Sequence, residues 1–279
     1  MILVTGAIAA TGRSIVDQLA TSGRAVRVLM HDGDQSEFPS AAEIVVGDLG
    51  DPGSLIRAMI GVQAVFLRTT APTVICGFLN AADAAGVERV VFQSSGAVDD
   101  WAVTQSNPVA ADYSEIERAI RASGLSWTFL RLEVASSDAL QWAFDVPRQL
   151  STGDVVRGPY AGAAGSPIHP ADFAAVAIAA LTGDEHDRRT YSVTGPVSFT
   201  HSEQVRLIGA VRGRTYYYDE LDEATARARI DPCAPADLLF ETWAKHVGMP
   251  APITDTIQRL TQRPPRTPRQ WALDYPRAA

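Results

Sequence analysis

The chain opens on a four-residue β-rich run, Ile2–Thr5, that meets Gly6 and gives way at Gly12 to an amphipathic stretch, "RSIVDQLATSG". A buried strand, a glycine-bounded loop and a helix in immediate succession constrain the fold, because the helix must carry the chain back for a parallel strand. The alternation then repeats through "AVRVLM", "DPGSLIRAMIG", "QAVFLRT", "VICGFLNAADAAG", "RVVFQSS", "YSEIERAIRASG" and "WTFLRL". The short β-rich runs suit strands buried on both faces, and the segments between them carry apolar residues at helical spacing. This pattern predicts an α/β fold built on a doubly wound, Rossmann-like parallel sheet. Gly23, Gly61, Gly86 and Gly124 stand where helices end, positions that favour a left-handed residue without Cβ.

After Leu132 the alternation stops. Residues 133–165 hold Gly and Pro clusters without a strong period and read as loops over a ligand site. Regularity returns with the helix "HPADFAAVAIAALTG" and the strand "TYSVTGP". Beyond these, "THSEQVRLIGAV" has capping-box spacing at Thr200 and Glu203, and the remainder reads as helices with one short strand, "TYYYDEL". The expected organisation is a dinucleotide-binding core over 1–132, with 166–196 returning to it. A smaller, mainly helical substrate lobe is expected from 133–165 and 197–279.

Composition narrows the function. A net charge of −8 with scattered arginines offers no basic stripe for a phosphate backbone, so nucleic acid is not an expected partner. No apolar run reaches the ~18 residues of a membrane span, and no signal-like start is present, so a cytoplasmic location is expected. Cys76 and Cys233 lack any CxxC or histidine pattern, which argues against a disulfide framework or a metal site and suggests buried or half-buried thiols. There is no GxSxG elbow, Walker loop or HExxH motif. Of the 24 basic residues only Lys245 is a lysine, which excludes a lysine mechanism elsewhere in the chain.

The first loop is where chemistry enters. Unpaired amides and the dipole at a helix start favour an anion, Gly6 permits the tight turn, and Gly12 lets helix and strand approach closely. With "ILVTGAIAATGRSIV", "ERAIRASGLSWTFLRL", "YSVTGP" and "TQRPPRTPRQWALDY", the chain resembles the NmrA-like group of atypical short-chain dehydrogenase/reductase proteins along nearly its whole length. The resemblance implies an NADP(H) or NAD(H) site and a substrate cleft between core and C-terminal lobe. It places Gly6, Ile8, Ala10, Thr11 and Gly12 around the pyrophosphate, His31 by the adenosine ribose, and Asp48 and Leu49 by the adenine. Thr69, Thr70, Ala71, Ser94 and Ser95 fall on the nicotinamide side. Asp48 could instead cap the following helix, and the two serines could simply be turn residues.

Three departures from the family pattern bear on function. Ala9 stands where a middle glycine is expected, so a methyl group meets the pyrophosphate and should weaken or shift its binding. His31 replaces an arginine that pairs with a 2′-phosphate in many relatives, though Arg13 is close enough in sequence to substitute, leaving NADP(H) only slightly favoured over NAD(H). Leu132 replaces a proline, so the substrate wall is altered.

In ordinary members of the superfamily a tyrosine precedes a lysine by four residues, and the lysine lowers the phenol's pKa. Here Tyr113 is followed at that spacing by Glu117, whose charge acts in the opposite sense. Tyr113 remains a candidate neutral proton donor, with an exposed helix tyrosine as the plainer alternative. Glu133, Asp138 and His169 are further acid/base candidates, with a helix-capping or satisfied histidine as the plainer reading of His169. The leading expectation is an NAD(P)H-dependent oxidoreductase acting on a small aromatic or quinone-like molecule, in secondary metabolism, as a monomer or homodimer. A redox-neutral enzyme and a non-catalytic dinucleotide sensor are the alternatives.

Overall fold

The computed structural model describes residues 1–31 and 38–275. Its strands, in chain order, are β1 (Ile2–Thr5), β2 (Val26–Met30), β3 (Ala42–Val46), β4 (Ala64–Leu67), β5 (Arg89–Ser95), β6 (Ser126–Leu132), β7 (Val155–Pro159), β8 (Ala164–Gly165), β9 (Arg189–Val193), β10 (Phe199–Thr200) and β11 (Tyr217–Leu221). The α-helices are α1 (Ala10–Thr21), α2 (Pro52–Met59), α3 (Ile75–Ala84), α4 (Pro108–Ala122), α5 (Ala139–Ala143), α6 (Val146–Thr152), α7 (Pro170–Thr182), α8 (His201–Arg212), α9 (Glu223–Arg227), α10 (Ala236–Lys245), α11 (Thr256–Thr261) and α12 (Pro268–Leu273). The chain divides into two units, one of Met1–Leu132, Pro170–Ser192 and Thr256–Arg263, the other of Glu133–His169, Val193–Asp255 and Pro264–Ala279.

In the first unit seven strands form one sheet in the order β3-β2-β1-β4-β5-β6-β9. Neighbouring strands from β3 through β6 pair in parallel. The order reverses between β1 and β4, which is where open α/β sheets leave a crevice at the strand carboxyl ends. One face is sealed by α2, α3 and α4 through buried Leu3, Leu55, Met59, Leu67, Phe78, Phe92, Ile116 and Phe129. On α7, Phe173 sets its ring edge-on to Phe66 of β4 at 6.4 Å, and both side chains are fully buried. With helices on both faces, β1 and β4 read as almost wholly apolar runs because neither side meets water, and β2 does so but for Arg27, which is buried and donates to the Ala58 and Ile60 carbonyls.

The expected punctuation is present. Gly23, Gly61, Gly86 and Gly124 adopt φ of 71°, 69°, 72° and 82°. Segment 256–263, assigned from sequence to the lobe, instead belongs to the first unit: α11 packs on α7, and the Thr256 hydroxyl donates to the Ser192 carbonyl at 2.7 Å.

The second unit is mainly helical. Residues 133–165, read from sequence as loops, contain α5, α6 and β7, and β7 pairs in parallel with β11. These helices are too short to show a clear period, and their stability comes from tertiary packing. Phe144, Phe240, Trp243, Trp271 and Tyr275 form its aromatic core. Both cysteines are exposed, contrary to the sequence expectation. Among the described residues no helix is long and apolar enough to cross a membrane.

His201, at the start of α8, is buried, with Nδ1 3.2 Å from the Pro159 carbonyl and its ring edge-on to Trp243 at 5.5 Å. Burial disfavours the imidazolium and pushes its pKa down to about 4. The unfolded chain takes up this proton near the ordinary value of about 6.5, so it binds more protons than the fold between the two values. Stability is therefore full above pH 6.5 and falls as pH drops from 6.5 towards 4, by about 3 kcal/mol in all. Urea midpoints measured at pH 7 and pH 4.5 should differ clearly in the wild type and much less in His201→Gln.

Candidate dinucleotide-binding site

Gly6 closes β1 with φ +64°, a left-handed conformation in which a side chain is strained. A Cβ there would lie 3.0 Å from both Cβ and Cδ of Arg68. Gly12 is held more tightly. A Cβ at this position would lie 2.5 Å from the Gly6 carbonyl oxygen and 2.7 Å from the Ala7 Cα, so helix and turn touch backbone to backbone. Ala9 occupies the N-cap of α1 with φ −69° and ψ 150°, which any residue adopts, and it makes no side-chain cap. Its backbone therefore does not require the glycine expected from sequence. No acidic side chain stands in the first turn of α1, which leaves the helix-start dipole uncompensated by protein charge.

These residues open on a cavity of about 480 Å³ lined by Thr5–Ala9, Leu29–His31, Gly47–Leu49 and Arg68. The carboxyl ends of β1 to β4 thus bring together Gly6, Ile8, His31, Asp48 and Leu49, five of the residues singled out by sequence. Ala10, Thr11, Gly12 and Arg13 follow on the first turn of α1. Ile8 is 55% exposed, an apolar side chain left at the rim. The His31 Nδ1 lies 3.6 Å from Asp48 Oδ2, and Asp48 Oδ1 accepts from the Gly50 amide at 2.6 Å. Asp48 does not cap α2; Asp51 does, accepting from the Gly53 and Ser54 amides at 3.2 and 2.9 Å. The Arg13 guanidinium lies 5.8 Å from the centre of the Phe38 ring.

Past β4, Thr69 accepts from the Ala71 amide at 3.2 Å, with Thr70 exposed between them. At the end of β5, Ser95 accepts from the Ala97 amide at 3.1 Å, a turn contact, whereas Ser94 donates to Glu117 at 2.6 Å. That bond belongs to a network that sequence spacing does not reveal. Arg131 of β6 grips Glu117 with Nε to Oε1 at 2.9 Å and Nη2 to Oε2 at 2.7 Å. It also holds Asp100 at 2.8 and 2.7 Å, and Arg121 reaches Glu117 at 3.1 Å. Glu117 is fully buried within these partners. Its charge is thus spoken for, which corrects the expectation that it opposes ionisation of Tyr113. Tyr113 is no exposed helix residue either: it packs against the core on the α4 face, 5.9 Å from the Phe92 ring. Burial raises its pKa and the charge of Arg68 pulls it back down.

Glu133 and His169 lie in the second unit. Glu133 stands at the head of a 3₁₀ turn, its carbonyl accepting from the Ser136 amide at 2.8 Å. His169 is buried, its Nε2 3.0 Å from Asp274 Oδ2. Asp138 precedes α5 without capping it. Among the described residues no group of His, Cys, Asp or Glu could hold a metal ion. Sequence reading missed Arg68, which at a strand end looks like a solvated charge; only the register of β4 against β1 brings it over Gly6.

Residues 6–184 match a family described as NAD(P)H-binding. The chain belongs to this NAD(P)H-binding family. It is 38% identical, over all of its own length and 99% of the relative's, to a (4-alkanoyl-5-oxo-2,5-dihydrofuran-3-yl)methyl phosphate reductase of Streptomyces griseus. It is 28% identical to an NAD(P)H azoreductase of Xenophilus azovorans, covering 98% and 96% of the two chains. Its fold is similar to an NADPH-dependent quinone oxidoreductase of Escherichia coli solved with NADPH, with a TM-score of 0.73, 21% identity and 98% of each chain covered. The relatives that it matches over nearly their full length are named as reductases, in keeping with the resemblance read from the sequence. The backbone fits such a cofactor: at Gly12 a Cβ would meet the Gly6 and Ala7 backbone and at Gly6 the stem of Arg68, so the turn stays bare and the first amides of α1 are open to an anion.

Proposed function

We propose that this protein is an NAD(P)H-dependent reductase of small molecules in which a carbonyl is conjugated to a double bond, such as quinones and unsaturated lactones, used in secondary metabolism. The observation that carries the reading is the Gly6–Gly12 cradle, open on a cavity with a basic side chain at its edge, in a member of an NAD(P)H-binding family. The names of relatives support the substrate class, since a 5-oxo-2,5-dihydrofuran and a quinone both present such a conjugated system.

On this reading the amides of Ala10, Thr11 and Gly12, with Ile8 alongside, hold the diphosphate. Asp48, Leu49 and His31 bound the adenosine, and Thr69–Ala71 and Ser95 border the nicotinamide. NADP(H) is preferred by a narrow margin: Arg13 and the His31 ring favour the 2′-phosphate, while Asp48 beside His31 disfavours it. When bound, a reduced nicotinamide would supply the hydride that reaches the electron-poor carbon. Tyr113 gives its phenolic proton to the enolate left on the substrate, and water returns that proton afterwards. Glu133 and His169 are held as secondary acid/base candidates.

Calorimetric titration with NADPH, NADH and their oxidised forms tests the binding, and a panel of quinones and butenolides tests the chemistry. NADPH should bind and be consumed. Tyr113→Phe should lower kcat about a hundredfold with cofactor affinity unchanged. Equal turnover in that variant would remove Tyr113 from the scheme, and binding without turnover across the panel would mark a sensor.

A further inference from the structure

We infer that Arg68, at the end of β4, is a binding residue for the diphosphate of the dinucleotide, supplying a full positive charge to a turn that otherwise offers backbone amides. The inference rests on the cofactor half of the reading above and adds a residue to it.

Strand order fixes where this charge stands. The cavity runs across four strand ends in the order β3, β2, β1, β4, and the chain beyond them carries Asp48, His31, Gly6 and Arg68 respectively. Val4 pairs with Phe66, so Gly6 and Arg68, each two residues further on, leave the sheet side by side. Neighbouring strands lie about 4.8 Å apart, which puts Arg68 one spacing from the Gly6 turn and about 14 Å from the strand end that leads to Asp48. His31 and Asp48 stand on the far side of β1 from it. A 2′-phosphate belongs with the adenosine on that far side, whereas the diphosphate is the anion that crosses the β1 turn.

The side chain is already placed for this contact. The Arg68 amide donates to Thr5 Oγ1 at 2.8 Å, which ties the end of β4 to β1. Its Cβ, Cγ and Cδ run along Gly6, 3.0–3.3 Å from where a Cβ on that glycine would stand. Gly6 therefore serves twice, as the left-handed turn and as the seat of the arginine stem. The stem is packed while the residue stays exposed and lines the cavity. Among the described residues its guanidinium makes no hydrogen bond and no ion pair. Of the described side chains lining the cavity, it is the one that is positively charged at all working pH values. A planar guanidinium can donate to two phosphate oxygens at once, and a stem held in advance loses little freedom in doing so.

Calorimetric titration in the absence of substrate tests the assignment. Arg68→Met keeps a stem over Gly6 and removes the charge, and its urea midpoint should match the wild type because the guanidinium has no partner in the fold. Its Kd for NADPH and its Kd for NADH should rise by the same factor, about 10–100-fold. 2′-AMP keeps the adenosine and the 2′-phosphate but lacks the diphosphate, and it should bind wild type and variant alike. Arg68→Lys should lose less affinity than Arg68→Met. Unchanged Kd values in Arg68→Met, a loss confined to NADPH, an equal loss for 2′-AMP, or a lysine variant as weak as the methionine one would each overturn the role of Arg68. Failure of the wild type to bind any dinucleotide would defeat the cofactor reading itself, and that result is seen before any variant is compared.

Discussion

Gly12→Val is expected to abolish dinucleotide binding and to lower stability by about 3 kcal/mol. The cause is backbone contact. A Cβ at Gly12 would lie 2.5 Å from the Gly6 carbonyl oxygen and 2.7 Å from the Ala7 Cα, and neither can rotate away as a side-chain tip could. Relief requires α1 to move off β1, which carries its first amides away from the cavity. Ala9→Gly is the informative companion. Because Ala9 already sits at φ −69°, removing its methyl releases no strain, and the change should leave the fold intact and alter affinity only modestly. Calorimetry with NADPH and a urea unfolding curve for each variant provide the check. Retained binding in Gly12→Val would place the diphosphate somewhere other than this turn.

Removing one member of the buried ion network should have the largest effect on stability. Glu117→Ala leaves the Arg131 guanidinium, only 9% exposed, without its fully buried partner, a change expected to cost about 3–5 kcal/mol. Arg131→Met should cost about the same, because it strands Glu117 instead. The double variant Glu117→Leu, Arg131→Met should recover much of that loss, since the two most buried charges leave together and the remaining ones, Asp100 and Arg121, are part-exposed. Denaturation curves of the three proteins measure this coupling, and strictly additive losses would show that the pair is not a unit. Asp100 contributes a pH signature. Its bonds to Arg131 hold it below the usual carboxylate range, so its contribution is present above the unfolded-state value and fades as pH falls through the depressed one.

The parts of the fold that local physics dictates were legible in the sequence. The βαβ rhythm follows from strands buried on both faces, and the left-handed glycines at 23, 61, 86 and 124 follow from backbone sterics alone. The capping box at Thr200 and Glu203 forms as its spacing implies. What escaped depends on residues distant in sequence. The i,i+4 spacing of Tyr113 and Glu117 correctly puts them on one helix, yet it says nothing of Arg131, which arrives from β6 and takes the carboxylate. Arg68 escaped for the same reason, since its place over Gly6 comes from strand register. Asp48 and Asp51 illustrate a nearer miss: both precede α2, and only cap geometry separates the helix cap from the cavity-lining carboxylate.

The network around Glu117 also bears on redesign. It ties helix α4 to two strands and to the 96–107 segment through Ser94, Arg131 and Asp100. Efforts to retarget such a scaffold would do well to treat that block as fixed hardware and to vary the chain elsewhere, because a single substitution at 117 or 131 is expected to remove a large share of a domain's stability.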